Sequence, residues 1–301
     1  MNTYAIASGF KKEIWEFNKT LFWVPIVIAG FVIASPFIGF MLSDEIHFDR
    51  LFYALKQLED ATHLSRFEHG MQGALTAIFM PFLSIAFVIQ LYYFTNCLFD
   101  ERRDLSIFFW RSLPVSDAQT IVTKLLTGAF VIPAIFMLAA TAVILFVLVL
   151  LAIATVVLAL GFDISLWHLW LQAGIFSSLF ANWTSLLPFA LWFFPVFAWL
   201  MLASSFASKA PVLWAILPVV ALLAIESFIV AYFHLDTRFF AESLLHYFQF
   251  TREMLPMDND SIQSKFFGFA ILSEKVSLVG TILGAVFIYA AYWLRVNRNG
   301  D

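Results

Sequence analysis

The chain has 301 residues, of which 62% are apolar and 13% charged, where a soluble domain carries about 45–50% and about 25%. With a mean hydropathy of +0.87, this composition excludes a soluble globule and makes lipid the main solvent. The net charge of −4, with no Lys/Arg-rich segment, gives no electrostatic case for nucleic acid as a partner.

In chain order, residues 8–20 predict an amphipathic helix. Phe10, Ile14, Phe17 and Leu21 fall at helical spacing and Lys11, Lys12, Glu16 and Lys19 lie elsewhere, a pattern that suits an element in the cytoplasmic interface. Residues 1–20 hold no apolar core and no small-residue cleavage site, so no removable signal peptide is expected and the first span serves as its own signal. Stretches of about 20 apolar residues bounded by charge predict six transmembrane helices, over 21–42, 73–94, 127–150, 183–206, 212–233 and 276–294. The third is the hardest to delimit, because 125–162 has no Asp, Glu, Lys or Arg and would make a helix of about 57 Å. Two spans there would need a turn in hydrocarbon, and 134–160 has no Gly, Pro, Asn or Asp to build one. One long helix is expected. The chain is thus an all-α polytopic membrane protein, a single transmembrane domain over 1–301.

With the N-terminus inside, the inner segments hold Lys11, Lys12, Lys19, Arg102, Arg103, Arg111, Lys124, Lys209, Arg295 and Arg298, ten of the 17 basic residues. The outer loops are longer and hold fewer, which predicts an N-in, C-in orientation. Residues 164–182 are uncharged, with Trp167, Trp170, Phe176 and Phe180, and predict either an outer interfacial or re-entrant helix or a lipid-facing aromatic belt. The outer loop 234–275 predicts two amphipathic pieces around a turn at residues 256–260.

Chemical signals concentrate in the inner loop 96–124, between the second and third spans. Asp100, Glu101, Arg102, Arg103 and Asp104 are five consecutive charges of mixed sign, which stop the second span and can pair locally. Ile107, Phe108 and Trp110, flanked by Arg103 and Arg111, predict a short helix that must bury a face on its own bundle or on another protein. Pro114 ends it. Ser116 and Gln119 then match a capping box, so the third helix starts below the membrane.

A short cytoplasmic helix in this place, ending in a Pro turn, resembles the coupling helix of permeases of the ATP-binding-cassette type-2 exporter family. The run Ser106-Ile-Phe-Phe-Trp-Arg-Ser-Leu-Pro-Val-Ser-Asp117, preceded by Asp100-Glu-Arg-Arg-Asp104, is similar to the bacterial subgroup with an acidic-basic cluster before a "FWKSLPVSD"-like stretch. Arg111 stands where that pattern has Lys, and Leu105 where it has Arg. The resemblance implies an exporter permease of the bacterial cytoplasmic (inner) membrane, pairing with a second permease copy as a homodimer. Two copies of a separate ATP-binding cassette subunit would bind ATP and Mg and hydrolyse the ATP, with no cofactor in this chain. The sequence agrees in having no Gly-x-x-x-x-Gly-Lys-[Ser/Thr] loop. Ile107, Phe108 and Trp110 would then be the knob seated in the partner, and Asp100, Glu101, Arg102, Arg103 and Arg111 its polar rim.

Glu226 is the charged residue that falls well inside a predicted span. A charge at the bilayer centre costs about 2.5–3.5 kcal/mol on insertion scales, so Glu226 is expected to face protein or water, in a cavity or proton-linked site or as a snorkelling carboxyl. Gln90 and Asn96, on the second span, either line a pathway or make interhelical hydrogen bonds. The alternative function, a membrane-embedded enzyme or a secondary transporter, would use Glu226, but it lacks convergent acids, histidines or metal ligands beside it. The six histidines form no His-x-x-x-His pattern, so no metal site is expected. The single cysteine, Cys97, excludes an intrachain disulfide.

Overall fold

A computed structural model describes residues 3–42, 64–104, 116–162, 174–235, 237–249 and 269–297. The described residues fold into helices: α1 (Thr3–Glu16), α2 (Asn18–Met41), α3 (Leu64–Asn96), α4 (Phe99–Arg103), α5 (Asp117–Leu126), α6 (Ile132–Phe162), α7 (Ile175–Phe206), α8 (Pro211–Phe233), α9 (Phe239–Phe248), α10 (Phe269–Glu274) and α11 (Leu278–Asn297). Six helical stretches are long and apolar enough to cross a membrane, within 18–39, 70–103, 117–161, 175–206, 211–233 and 278–297. The protein is therefore a multi-pass, all-α membrane protein.

Several boundaries differ from the sequence expectation, among them the second span, where α3 begins at Leu64 rather than at 73. The amphipathic helix starts earlier and stops at Glu16, with Phe17 in a turn before α2. The third span is one helical run from Asp117, as its charge-free composition requires, with a π-helical turn at Thr127–Val131 joining α5 to α6. Ser116 begins it, its side chain accepting a hydrogen bond from the Gln119 N–H at 3.2 Å. This is the Ser116 half of the expected capping box. Residues 175–182, expected in an outer interfacial or re-entrant helix or in a lipid-facing aromatic belt, are the first turns of α7; Trp167 and Trp170 lie outside the described residues. So does the turn expected at 256–260, between α9 and α10.

Helix α7 is central and packs on α3, α8, α10 and α11, while α6 packs on α2 and α3. The core runs along these seams through Phe79, Phe82, Ala86, Phe94, Phe136, Ala140, Phe197, Met201 and Ala291, all nearly inaccessible. In lipid the apolar effect does not draw helices together, so close approach at small residues does. Gly280 and Gly284 form such a small-xxx-small pair on α11 against Pro195 and Phe194 of α7. A Cβ at Gly284 would sit 2.6 Å from the Phe194 ring and 3.2 Å from the Pro195 Cα. Gly284→Leu is therefore expected to cost about 1–3 kcal/mol of stability through overpacking, read as a lower midpoint of thermal unfolding in detergent. Gly30→Leu, on α2 with open space around the glycine, should leave the midpoint unchanged.

Helix α8 is the least covered span. Leu213, Ile216, Val220, Ile225 and Phe228 are all more than half exposed, which in this class of protein is surface for lipid or for another chain.

Candidate functional site

The ends of α1, α3, α5, α7 and α11 meet on one side of the bundle, and there the structure buries a cluster of charges. Gly9 lets α1 lie close on α5, since a Cβ there would be 3.1 Å from Thr123 Cγ2. One turn further along α1, Glu13 enters the interface at 2% exposure. Its Oε1 accepts a hydrogen bond from Lys124 Nζ of α5 at 2.9 Å, and its Oε2 accepts one from the Tyr93 hydroxyl of α3 at 2.8 Å.

Glu101 of α4 is equally buried and is shared by three cations. Its Oε1 lies 2.9 Å from Lys12 Nζ and 3.2 Å from Lys124 Nζ, while its Oε2 accepts from Arg295 Nη1 of α11 at 2.8 Å. Arg295 Nε in turn donates to Asp117 Oδ1, at the start of α5, at 2.7 Å. Lys12, Lys124 and Arg295 thus face Glu13, Glu101 and Asp117. The cluster is neutral, which is the condition under which charges can stay ionised away from water.

Arg102 extends the tie to α7. Its Nη2 donates to the carbonyl oxygens of Ser204 and Ala207 at 2.7 and 2.8 Å, satisfying carbonyls that the last turn of a helix leaves free. In return Ser204 Oγ accepts from the backbone N–H of Leu98 and Phe99 at 3.1 and 2.9 Å, which caps the first turn of α4.

The outcome for each predicted site residue follows from this geometry. Glu101 and Arg102 are not an outward rim: they are turned into the bundle, because each finds inside it the counter-charge or carbonyl dipole that its burial demands. Asp100 and Arg103 do pair locally, at 3.1 Å, and Arg103 also reaches Asp104 at 3.0 Å; Arg103 and Asp104 are exposed. Ile107, Phe108, Trp110 and Arg111 lie outside the described residues.

Gln90 is buried and donates from Nε2 to the Gly128 carbonyl at 2.8 Å, bridging α3 to the π-helical turn, where the backbone ladder is irregular. It also lines a cavity. Asn96 is turned back on its own helix, donating to Tyr92 O at 2.9 Å and Thr95 Oγ1 at 3.2 Å, and is not among the residues that line the cavity.

Glu226 lies away from the cavity as well. Its Oε1 accepts from the Phe240 N–H and its Oε2 from the Ala241 N–H at 2.8 Å. The carboxylate caps the N-terminus of α9, where orphan N–H groups and the helix dipole favour negative charge. The other end of α9 is tied down by the Tyr247 hydroxyl, which donates to the Trp192 carbonyl. Burial pushes the Tyr247 phenol up to about 12, so it remains a donor.

Lys12, Glu13, Tyr93, Lys124 and Arg295 are site residues that the sequence reading does not single out. Glu13 carries the clearest signal, since it follows Phe10 by three and precedes Phe17 by four, placing a carboxylate on the apolar stripe itself. Lys124 and Arg295 pass in sequence for ordinary basic flanks at the ends of spans.

No family model, curated protein or solved structure matches the chain.

Proposed function

We propose that the chain is the permease subunit of an ATP-driven exporter of the ATP-binding-cassette type-2 family. It sits N-in, C-in in a bacterial cytoplasmic membrane, pairs with a second copy of itself, and receives motion from two separate ATP-hydrolysing subunits that carry ATP and Mg. The chain itself is not the enzyme.

The observation that supports this reading is the placing of the charge cluster relative to residues 105–115, the segment that resembles a coupling helix. Glu101 and Arg102 stand a few residues before it and Asp117 two residues after it. Through them both flanks are tied by ion pairs and hydrogen bonds to α1, α5, α7 and α11. A force applied to residues 105–115 therefore acts on rigid helix ends rather than on a slack loop, which is what transmission between an ATPase and a bundle needs. The alternative, an embedded enzyme or secondary transporter using Glu226, gains nothing from a carboxylate whose two oxygens are occupied by backbone N–H groups.

The test is an affinity pull-down of the solubilised chain from its native membrane, compared with Trp110→Ala and Phe108→Asp and followed by an ATPase assay. An ATP-hydrolysing subunit should co-purify with the unaltered chain and be lost or strongly reduced with both variants. Absence of any ATPase, or its full retention by Phe108→Asp, would overturn the reading.

A further inference from the structure

Between α3 and α7, backed by α6 and reached by Leu272 of α10, the bundle forms a partly open cavity of about 300 Å³, at the small end of the range for ligand sites. Its wall is aromatic, with Phe79 and Phe87 from α3 and Phe189, Trp192 and Phe193 from α7. The rings are mutually braced: Phe87 lies 5.1 Å from Phe193, and Phe193 4.6 Å from Trp192, centroid to centroid. One turn beyond Gln90 and Phe193, Phe94 stacks on Phe197 at 4.5 Å and separates the cavity from the charge cluster. No charged side chain lines it.

Polarity in the lining is sparse and partly committed. The Thr76 hydroxyl donates to the Gln72 carbonyl and the Ser185 hydroxyl to the Asn182 carbonyl, each on its own helix. Gln90 is different, because it is 1% exposed and only one end of its amide is held. The Gly128 carbonyl can only accept, so it fixes the amide with Nε2 towards α6. Gln90 Oε1 then accepts no hydrogen bond among the described residues. The cavity that Gln90 lines is where a donor can reach this oxygen.

We propose that this cavity binds a neutral, lipophilic molecule carrying a single hydrogen-bond donor, an N–H or O–H, which is given to Gln90 Oε1 while the apolar body packs on the aromatic wall. A charged solute is refused, since nothing in the lining would compensate its desolvation. The proposal rests on the cavity alone and does not depend on an ATPase partner.

The probe pair is N-phenyl-1-naphthylamine and its N-methyl analogue, which differ in the one donor, titrated by fluorescence into the purified chain in detergent against protein-free micelles. Saturable binding above micelle partitioning is expected, with the N–H compound about threefold to tenfold tighter, the worth of one hydrogen bond. Gln90→Leu should keep binding and bring the two affinities together. Leu83→Trp, which fills the cavity from α3, should abolish saturable binding of both probes while retention volume and helical circular dichroism stay unchanged. Purely linear partitioning, equal affinities in the unaltered chain, a preference that survives Gln90→Leu, or unchanged binding in a folded Leu83→Trp would each overturn the proposal. Where Gln90→Leu does not fold, the preference in the unaltered chain and the Leu83→Trp result decide.

Discussion

Replacing Glu101 by Gln is expected to cost about 3–5 kcal/mol, the scale measured when one partner of a buried ion pair is removed. Three cations share this carboxylate, and Lys124 and Arg295 are as inaccessible as Glu101 itself, with side chains 2% and 4% exposed. Without Glu101, Lys12, Lys124 and Arg295 face Glu13 and Asp117 alone, and the cluster carries one positive charge in excess, with only Lys12 of the three cations, its side chain 22% exposed, having access to water. Lys124→Met should be similarly damaging with the opposite sign, leaving one negative charge in excess. The double variant Glu101→Gln/Lys124→Met restores neutrality, so its loss should be clearly smaller than the sum of the single losses. A double-mutant cycle read from thermal unfolding midpoints in detergent measures this coupling. Additive losses would show that the two groups stabilise the bundle independently, contrary to the distances between them.

How far such a site can be seen in sequence depends on whether its cause is local. The spans are legible because about 20 apolar residues in a row meet a requirement set by the bilayer, and Ser116 as a helix cap is legible because capping acts within three residues. The unity of the third span follows from what 134–160 lacks. The partners of Glu101 are not legible: Lys12 is 89 residues away in sequence and Arg295 194. The mixed signs of residues 100–104 also permit neighbours to neutralise one another on the surface. Only Asp100, Arg103 and Asp104 do so. Glu226 is hard to place for a related reason, because its helical neighbours say that it is costly in lipid but not that the N-terminus of α9, 14 and 15 residues on, supplies its donors. Gln90 is legible as a residue with two possible uses, of which the structure shows the interhelical hydrogen bond, to the Gly128 carbonyl.

The π-helical turn gives the second large effect. Gly128 lies under the ring of Phe94, and a Cβ there would stand 2.3 Å from Cζ and 2.6 and 2.8 Å from the two Cε atoms. The ring has no room to withdraw, since Phe94 is fully buried, stacked on Phe197 and edge-on to Tyr93. Gly128→Ala must therefore push α6 away from α3, straining the Gln90 bond to the same residue's carbonyl, at about 1–3 kcal/mol or more. The three clashing atoms are those that a leucine side chain lacks. Phe94→Leu alone removes packing and costs about 1 kcal/mol or somewhat more, but in its presence Gly128→Ala should be nearly free. The double variant is thus expected to unfold close to Phe94→Leu, with a coupling of at least about 1 kcal/mol between the sites. If Gly128→Ala costs as much in the Phe94→Leu background as in the unaltered chain, the contact is not the reason for the glycine. In that case the irregular backbone between Thr127 and Val131 would itself demand the glycine, a requirement that no change at Phe94 could relieve.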